Sequence, residues 1–452
     1  MVATRLHFRH ALLPEGWARD VTVTVADGVL SGIEADSDAN AADERHAVAL
    51  PGMPNVHSHA FQRAMAGRAE RRGPDGDDFW TWRDQAYRVA ARLDPDSARI
   101  VAAMAQVEML ETGFTRVGEF HYLHHAPDGQ PYDDPAAMSG AIVAAAQVTG
   151  IALTHLPVFY AHSGFGGLPP TEGQRRFVHE LDGFARLVER ACDLASALPD
   201  AVVGIAPHSL RAVTPGELHA LEAMAPGAPL HIHIAEQVRE VEECRAATGT
   251  TPVRWLLDHA DVSDRWCFVH ATHVDADEIA GMAASGAVVG LCPITEANLG
   301  DGIFPAEAYL HADGRIAVGS DSNVRIDLPE EMRLLEYGQR LSLRRRAVLA
   351  SRSSASVGRT LFDAALAGGA QALGTPAGLA VGNPADIVSL GGDALLPGGE
   401  PDDLLDDLVF AGGRKRIDRV WRRGELLVER GVHRMREAIE AELRSILPSL
   451  LA

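Results

Sequence analysis

Val48-Ala49-Leu50-Pro51-Gly52-Met53-Pro54-Asn55-Val56-His57-Ser58-His59 opens as an apolar run and closes on two histidines. A short apolar run bounded by Pro and Gly reads as a buried strand, here Val48 to Met53. His57 and His59 stand two apart on an extended segment, so their side chains project to one side and can reach one ion.

Seven further runs follow: Phe114 to Gly118, Ile151 to Phe159, Val202 to Ala206, Leu230 to Ile234, Trp266 to Val269, Val288 to Cys292 and Ile316 to Gly319. Helical patterns separate them, among them Asp96 to Thr112, Gly173 to Leu198, Thr214 to Met224 and Val274 to Ser285. Eight strand–helix units predict an α/β fold, a closed parallel (β/α)8 TIM-like barrel. Such barrels carry their chemistry at the C-terminal ends of the strands. There the sequence sets His57 and His59 after the first run, His231, His233 and Glu236 at the fifth, His270 and His273 after the sixth, and Asp321 after the eighth. His233 and Asp321 would complete, with His57 and His59, a set of three imidazoles and a carboxylate. Nitrogen and oxygen ligands suit one Zn2+, and Fe2+ or Mn2+ could occupy the same set.

Both ends of the chain read as β. Val21 to Val25 alternates, Asp27-Gly28 is a turn signal and Val29 to Ile33 resumes the pattern. Ala385 to Leu390 and Arg419 to Val428, the latter broken at Gly424, match them near the other end. The expected domains are residues 1–50 as the first part of a small β-sandwich, 51–375 as the metal-dependent barrel, and 376–452 as the rest of the sandwich plus a terminal helix.

Composition narrows the function. The 452 residues carry a formal net charge of -21, which disfavours nucleic acid and anionic membrane surfaces as partners. No apolar run reaches the roughly 18 residues of a membrane span, and Met1 to Arg5 lacks the apolar core of a secretory leader. Four scattered cysteines without a CxxC pair fit a reducing cytoplasm and no thiolate metal site. Lys415 is the only lysine, and it lies in an arginine-rich tail, so Schiff-base chemistry is excluded from the barrel.

HxH after strand one, HxxE after strand five, His after strand six and Asp after strand eight resemble the amidohydrolase superfamily, as does Pro51 to His59 as a whole. Members with two metals bridge them by a carboxylated lysine. With no lysine in the barrel, the resemblance points to the mononuclear, deaminase-type branch. The longer strings His57 to Gly67, Phe79 to Arg83, Gly118 to His125, Pro207 to Arg211 and Glu296 to Gly300 resemble the branch that hydrolyses N-formimino-L-glutamate. That resemblance implies N-formyl-L-glutamate and ammonia as products, in histidine degradation.

It also implies roles. Asp321 takes a proton from the activated water, Glu236 shuttles it to the imine nitrogen, and His270 orients the water or stabilises developing charge. Gln62, Arg83, Tyr122, His208 and Arg211 bind a small dianionic substrate, and the chain forms a homodimer. The residues alone leave Arg83 and Arg211 open between carboxylate partners and ordinary surface arginines. They also leave open a heterocyclic amine such as guanine or an adenosine derivative as substrate, and formamide as the leaving product. Glu119, His121, His124 and His125 are expected in hydrogen-bonding roles, His231 in orienting a ligand, and Phe61 and Met65 in the core or cavity wall.

Overall fold

In the computed structural model, residues 4–41, 43–71, 79–351, 354–391 and 399–451 are described, so Met1 to Ala3 of the terminal segment discussed above lie outside them. Both chain ends build one sheet. Its strands are β1 (Thr4–Leu13), β2 (Gly16–Ala26), β3 (Val29–Glu34) and β4 (Glu44–Pro51) from the first 51 residues. The far end adds β14 (Ile387–Leu390), β15 (Ile417–Arg422), β16 (Glu425–Glu429) and β17 (Val432–His433). The order is β17-β16-β15-β14-β4-β1-β2-β3. The seam between the ends is the antiparallel pair β4–β14, with Val48 opposite Leu390 and Pro51 opposite Ile387.

Between these segments lie β5 (Met53–Ser58), β6 (Phe114–His121), β7 (Ala152–Phe159), β8 (Val202–Val203), β9 (Ala206–Pro207), β10 (Leu230–Ile234), β11 (Trp266–His270), β12 (Val288–Leu291) and β13 (Arg315–Val318). All pair in parallel, in two sheets, β5-β6-β7-β8 with β9 on β7, and β10-β11-β12-β13. Isolated parallel bridges tie the sheets at both margins: Ser58 to Asp321 on one side, Ile205 to Leu230 and Ser209 to His233 on the other. These strands are buried throughout, except at the start of β13 and in β8. That explains why they read as continuous apolar runs instead of alternating ones.

Three expectations differ from the structure. Val48 to Met53 is not one strand: the chain leaves the terminal sheet at Pro51 and enters β5 at Met53. Gly52 is the crossing point, where a Cβ would stand 2.2 Å from Thr115 Oγ1, and its N–H bonds Asp386 O at 3.0 Å. The run Val202 to Ala206 is interrupted at Gly204, whose Cβ position lies 2.5 Å from Pro229 O. The helix expected over Gly173 to Leu198 begins only at Leu181; Glu172–Gln174 is a separate 3-10 turn. The other helices fall near their expected places, at Pro95–Glu111, Pro215–Met224 and Ala276–Ser285, two of them opened by a Pro at the first turn and all three by a capping box.

A buried ion network fastens the terminal sheet to the parallel one. Arg422, 4 % exposed, bonds Asp386 Oδ1 at 2.8 Å and also Asp200. Asp200 Oδ2 takes a second guanidinium, Arg116, at 2.9 Å. Removing one partner of such a buried pair leaves uncompensated charge. Arg422→Ala is therefore expected to cost about 3–5 kcal/mol of stability, read as a lowered thermal midpoint. Wild-type melting of that variant would show that the network does not hold the sheets together.

Candidate metal centre and cleft

His57 and His59 leave the end of β5 on the same side, as the two-residue period requires. The chain then turns into a 3-10 segment, Ala60–Met65. Asp321 is brought to them by the backbone. Both Ser320 N and Asp321 N donate to His57 O at 3.0 Å, and His59 N donates to Asp321 O at 2.9 Å. A polar lattice locks this seam: Asn55 Nδ2 donates to Ser320 Oγ at 2.7 Å, Ser320 Oγ to Asn323 Oδ1 at 2.6 Å, and Asn323 Nδ2 to Ser58 Oγ at 3.1 Å. Gly319 passes so close that a Cβ there would meet His57 N and O at 2.9 Å. His233 enters from β10, with its N–H on His208 O at 3.1 Å.

The result is a tight cluster. His57 Nε2 lies 3.2 Å from His59 Nε2 and 3.1 Å from His233 Nε2. Asp321 Oδ1 lies 3.5 Å from His57 Nε2 and 3.4 Å from His59 Nε2. The outer nitrogens set the tautomers. His59 Nδ1 is 2.9 Å from Phe120 O and His233 Nδ1 is 3.1 Å from His208 O. A carbonyl only accepts, so both Nδ1 atoms carry the proton and both Nε2 atoms present lone pairs. Burial pushes the His57 pKa down to about 3, against the pull of Asp321. The rings are therefore neutral, His59 and His233 turn Nε2 lone pairs towards His57 Nε2, and a cation among them could take these nitrogens and Asp321 Oδ1 as ligands. His57, His59 and His233 thus form a candidate metal-binding group. His270, Cys292 and Asp321 form a second such group. There, burial and the carboxylates of Asp321, Glu296 and Glu331 hold the Cys292 thiol well above its ordinary pKa. A neutral thiol is a poor ligand, so the histidine group fits a cation better.

His270 sits in left-handed backbone, φ 70°, as do Asp321 at 45° and Ala235 at 51°. These sparsely populated conformations at three strand ends turn the side chains into one cleft. His270 Nε2 is 3.7 Å from both Glu236 Oε1 and Asp321 Oδ2, and its Nδ1 is 3.2 Å from Glu296 Oε1. Burial works against a charged ring. The carboxylates of Glu236, Glu296 and Asp321 outweigh it and hold His270 up at about 10. Burial pushes Glu236 up to about 7; His270 and Arg211 oppose this, and Asp321 and Glu240 add to it. For Asp321, hydrogen bonding to His57 and the nearby imidazoles outweigh burial and keep its carboxyl well below the usual range.

Every residue singled out in the sequence as a substrate contact lines this same cleft: Gln62, Arg83, Tyr122, His208 and Arg211. Gln62 Nε2 donates to Tyr122 Oη at 3.0 Å. The Arg83 guanidinium stacks 4.5 Å over Trp80, and Arg211 lies 5.7 Å from the same ring. Both Nε atoms are buried without a hydrogen-bond partner, and neither side chain forms an ion pair among the described residues. His231 does not reach the cluster; its Nε2 bonds Ala372 O at 2.8 Å. Glu119 holds the Ala60 amide at 2.8 Å, and His124 and His125 bond the Val158 and Val178 carbonyls. Phe61 and Met65 lie in a hydrophobic cluster. Glu296 opens one of the strings that carry the resemblance but had no role assigned, and Tyr87 and Tyr160 carried no sequence signal of their own.

A family model for the amidohydrolase family matches residues 48–427. The chain belongs to the amidohydrolase family. A second model, the N-terminal domain of formimidoylglutamate deiminase HutF, matches residues 3–47. The chain is 50% identical over 445 residues to a formimidoylglutamate deiminase of Pseudomonas aeruginosa, with 98% of each chain covered. It is similar to a crystal structure of an amidohydrolase from Brucella melitensis, with 52% identity, a TM-score of 0.97, and 99% of this chain and 100% of that one covered. An adenosine deaminase from Xanthomonas campestris with bound zinc shares the fold, with a TM-score of 0.81, 23% identity, and 99% and 98% coverage.

Metal analysis tests the cluster. The purified protein is expected to hold about one divalent ion per chain, and His233→Ala is expected to lose most of it. Full metal content in that variant would remove His233 from the site.

Proposed function

We propose that this protein hydrolyses N-formimino-L-glutamate to N-formyl-L-glutamate and ammonia, a step of histidine degradation. The observation that carries this reading is the pairing of two chemistries in one cleft. A cradle for a cation lies beside two guanidiniums, Arg83 and Arg211, that lack a carboxylate partner among the described residues. Guanidiniums that line a cleft and form no ion pair among the described residues suit an anionic ligand, and carboxylates match their forked geometry. A neutral heterocycle would leave both unpaired. The identity to the Pseudomonas aeruginosa deiminase supports the same substrate.

In this reading residues 51–375 form a closed (β/α)8 barrel. The parallel pairing and the bridges at both margins support closure. Residues 1–50 and 376–452 form the second domain, in which the one eight-stranded sheet would fold over on itself as a small β-sandwich, with a terminal helix. His57, His59, His233 and Asp321 would hold one zinc ion. Bound there, a divalent ion draws the pKa of a coordinated water towards neutrality and supplies a nucleophile at working pH. Asp321 would serve both as a ligand and, through its carboxylate, as the acceptor of the attacking water's proton. Glu236, with its pKa held near 7, is suited to both taking and giving a proton. It delivers that proton to the imine nitrogen as the water oxygen bonds to carbon, and then passes the remaining hydroxyl proton to the same nitrogen, so that the C–N bond breaks, ammonia leaves and the carbon keeps the oxygen as the formyl carbonyl. His270 stays protonated between Glu236, Asp321 and Glu296, and its Nε2–H stabilises negative charge as the carbon becomes tetrahedral. Gln62, Tyr122 and His208 complete the substrate contacts. We extend the proposal to a cytoplasmic homodimer on the resemblance alone; light scattering of the purified protein tests the dimer.

Purified protein given N-formimino-L-glutamate should release ammonia and N-formyl-L-glutamate, and a chelator should stop it. Formamide with free glutamate would refute the assignment. Glu236→Gln should lower kcat by about 10²–10⁴-fold with metal content retained. An unchanged kcat would remove Glu236 as the shuttle.

A further inference from the structure

Tyr160 stands just past the end of β7, 5 % exposed, and lines the cleft with Arg83 and Arg211. Its ring packs against His208, centroids 4.6 Å apart at 64°. Behind it, Gln174 is fixed by its own contacts. Thr171 N donates to Gln174 Oε1 at 2.8 Å, and Gln174 Nε2 lies 2.7 Å from Tyr160 Oη. A backbone N–H can only donate, so the amide oxygen of Gln174 must face Thr171 and its NH2 must face Tyr160. The amide cannot be flipped without setting two donors against each other. Tyr160 Oη is therefore an acceptor towards Gln174, and its own proton is left to give away.

On the cleft side the neighbours that could take that proton are few. Arg83 and Arg211 only donate. The Tyr87 hydroxyl, which also lines the cleft, interacts with Tyr160. Three donors, two guanidiniums and one phenol, thus face one space whose lining carboxylates, Glu236 and Asp321, stand beside His270 and form no ion pair with either arginine among the described residues. Hydrogen bonds aligned in one direction, from Thr171 through Gln174 to Tyr160, polarise one another and strengthen the last donor.

We propose that Tyr160 is a specificity-determining residue that donates its phenolic proton to a substrate carboxylate held by Arg83 and Arg211, and that Gln174 is its positioning residue. This rests on the dicarboxylate reading of the cleft. The 3-10 turn at Glu172–Gln174, which replaces the start of the expected helix, then has a role: it carries Gln174 into this position. The ligand class is a carboxylate.

Calorimetric binding of N-formyl-L-glutamate to the metal-loaded protein tests the proposal without requiring turnover. Tyr160→Phe keeps the ring packing and removes the donor; it should weaken binding about tenfold, the size of a hydrogen bond to a charged acceptor. Gln174→Glu keeps the shape but replaces the NH2 with an acceptor, so Tyr160 turns its proton away from the cleft. It too should weaken binding about tenfold or more. The double variant decides between a relay and two separate effects. The loss caused by Gln174→Glu should shrink markedly in the Tyr160→Phe background, what remains being plain charge repulsion. Wild-type affinity in Tyr160→Phe, or strictly additive losses in a double variant with an unchanged melting point, would overturn the proposal. A wild-type protein that binds the dicarboxylate but does not turn over N-formimino-L-glutamate would sink the deiminase reading and leave the relay standing. A wild-type protein that binds no dicarboxylate would sink both.

Discussion

Three buried imidazoles and one carboxylate crowd together beside the cleft, and the site is organised around holding them there. His57 Nε2 has both His59 Nε2 and His233 Nε2 within 3.2 Å, and all three rings are buried. Left to themselves the rings would rotate apart or take up protons. The outer nitrogens of His59 and His233 are pinned to carbonyls and burial opposes protonation, so both rings keep their Nε2 lone pairs towards His57. A cation bound there would draw these donors together. The polar lattice of Asn55, Ser58, Ser320 and Asn323 and the close pass of Gly319 exist in the service of that geometry, because they fix the one carboxylate, Asp321, against the β5 strand end.

The charge arrangement around the cluster follows. A chain with net charge -21 binds an anion only if positive groups are concentrated locally. The cleft does this in two places. The candidate cation site is one. The other is the pair Arg83 and Arg211, stacked about the Trp80 indole. Between them His270 is held protonated by carboxylates on both of its nitrogens. In the proposed reaction proton transfer is then left to Glu236, whose pKa burial raises to about 7.

Much of this was legible in the sequence because it rests on local periodicity. His57 and His59 share a face by the two-residue period of a strand, and the buried parallel strands read as apolar runs. The sites at the ends of β10, β11 and β13 followed from counting runs. What escaped reading rests on contacts between distant segments or on single glycines. Glu296 meets His270 across 26 residues, and Gln174 meets Tyr160 across 14 in a segment whose pattern suggested plain helix. Gly52 divides a run that looked continuous, because the neighbouring Thr115 leaves no room for a side chain there. His231 shares the His233 face, yet lies one layer deeper and bonds Ala372.

The central claim is that the cation sits among the histidines and Asp321. X-ray absorption at the metal edge of zinc-loaded protein tests it most directly. Only nitrogen and oxygen neighbours at about 2.0–2.2 Å, with the multiple-scattering signature of several imidazoles, are expected. A sulfur neighbour at about 2.3 Å would place the ion with His270, Cys292 and Asp321 instead, and would contradict the account.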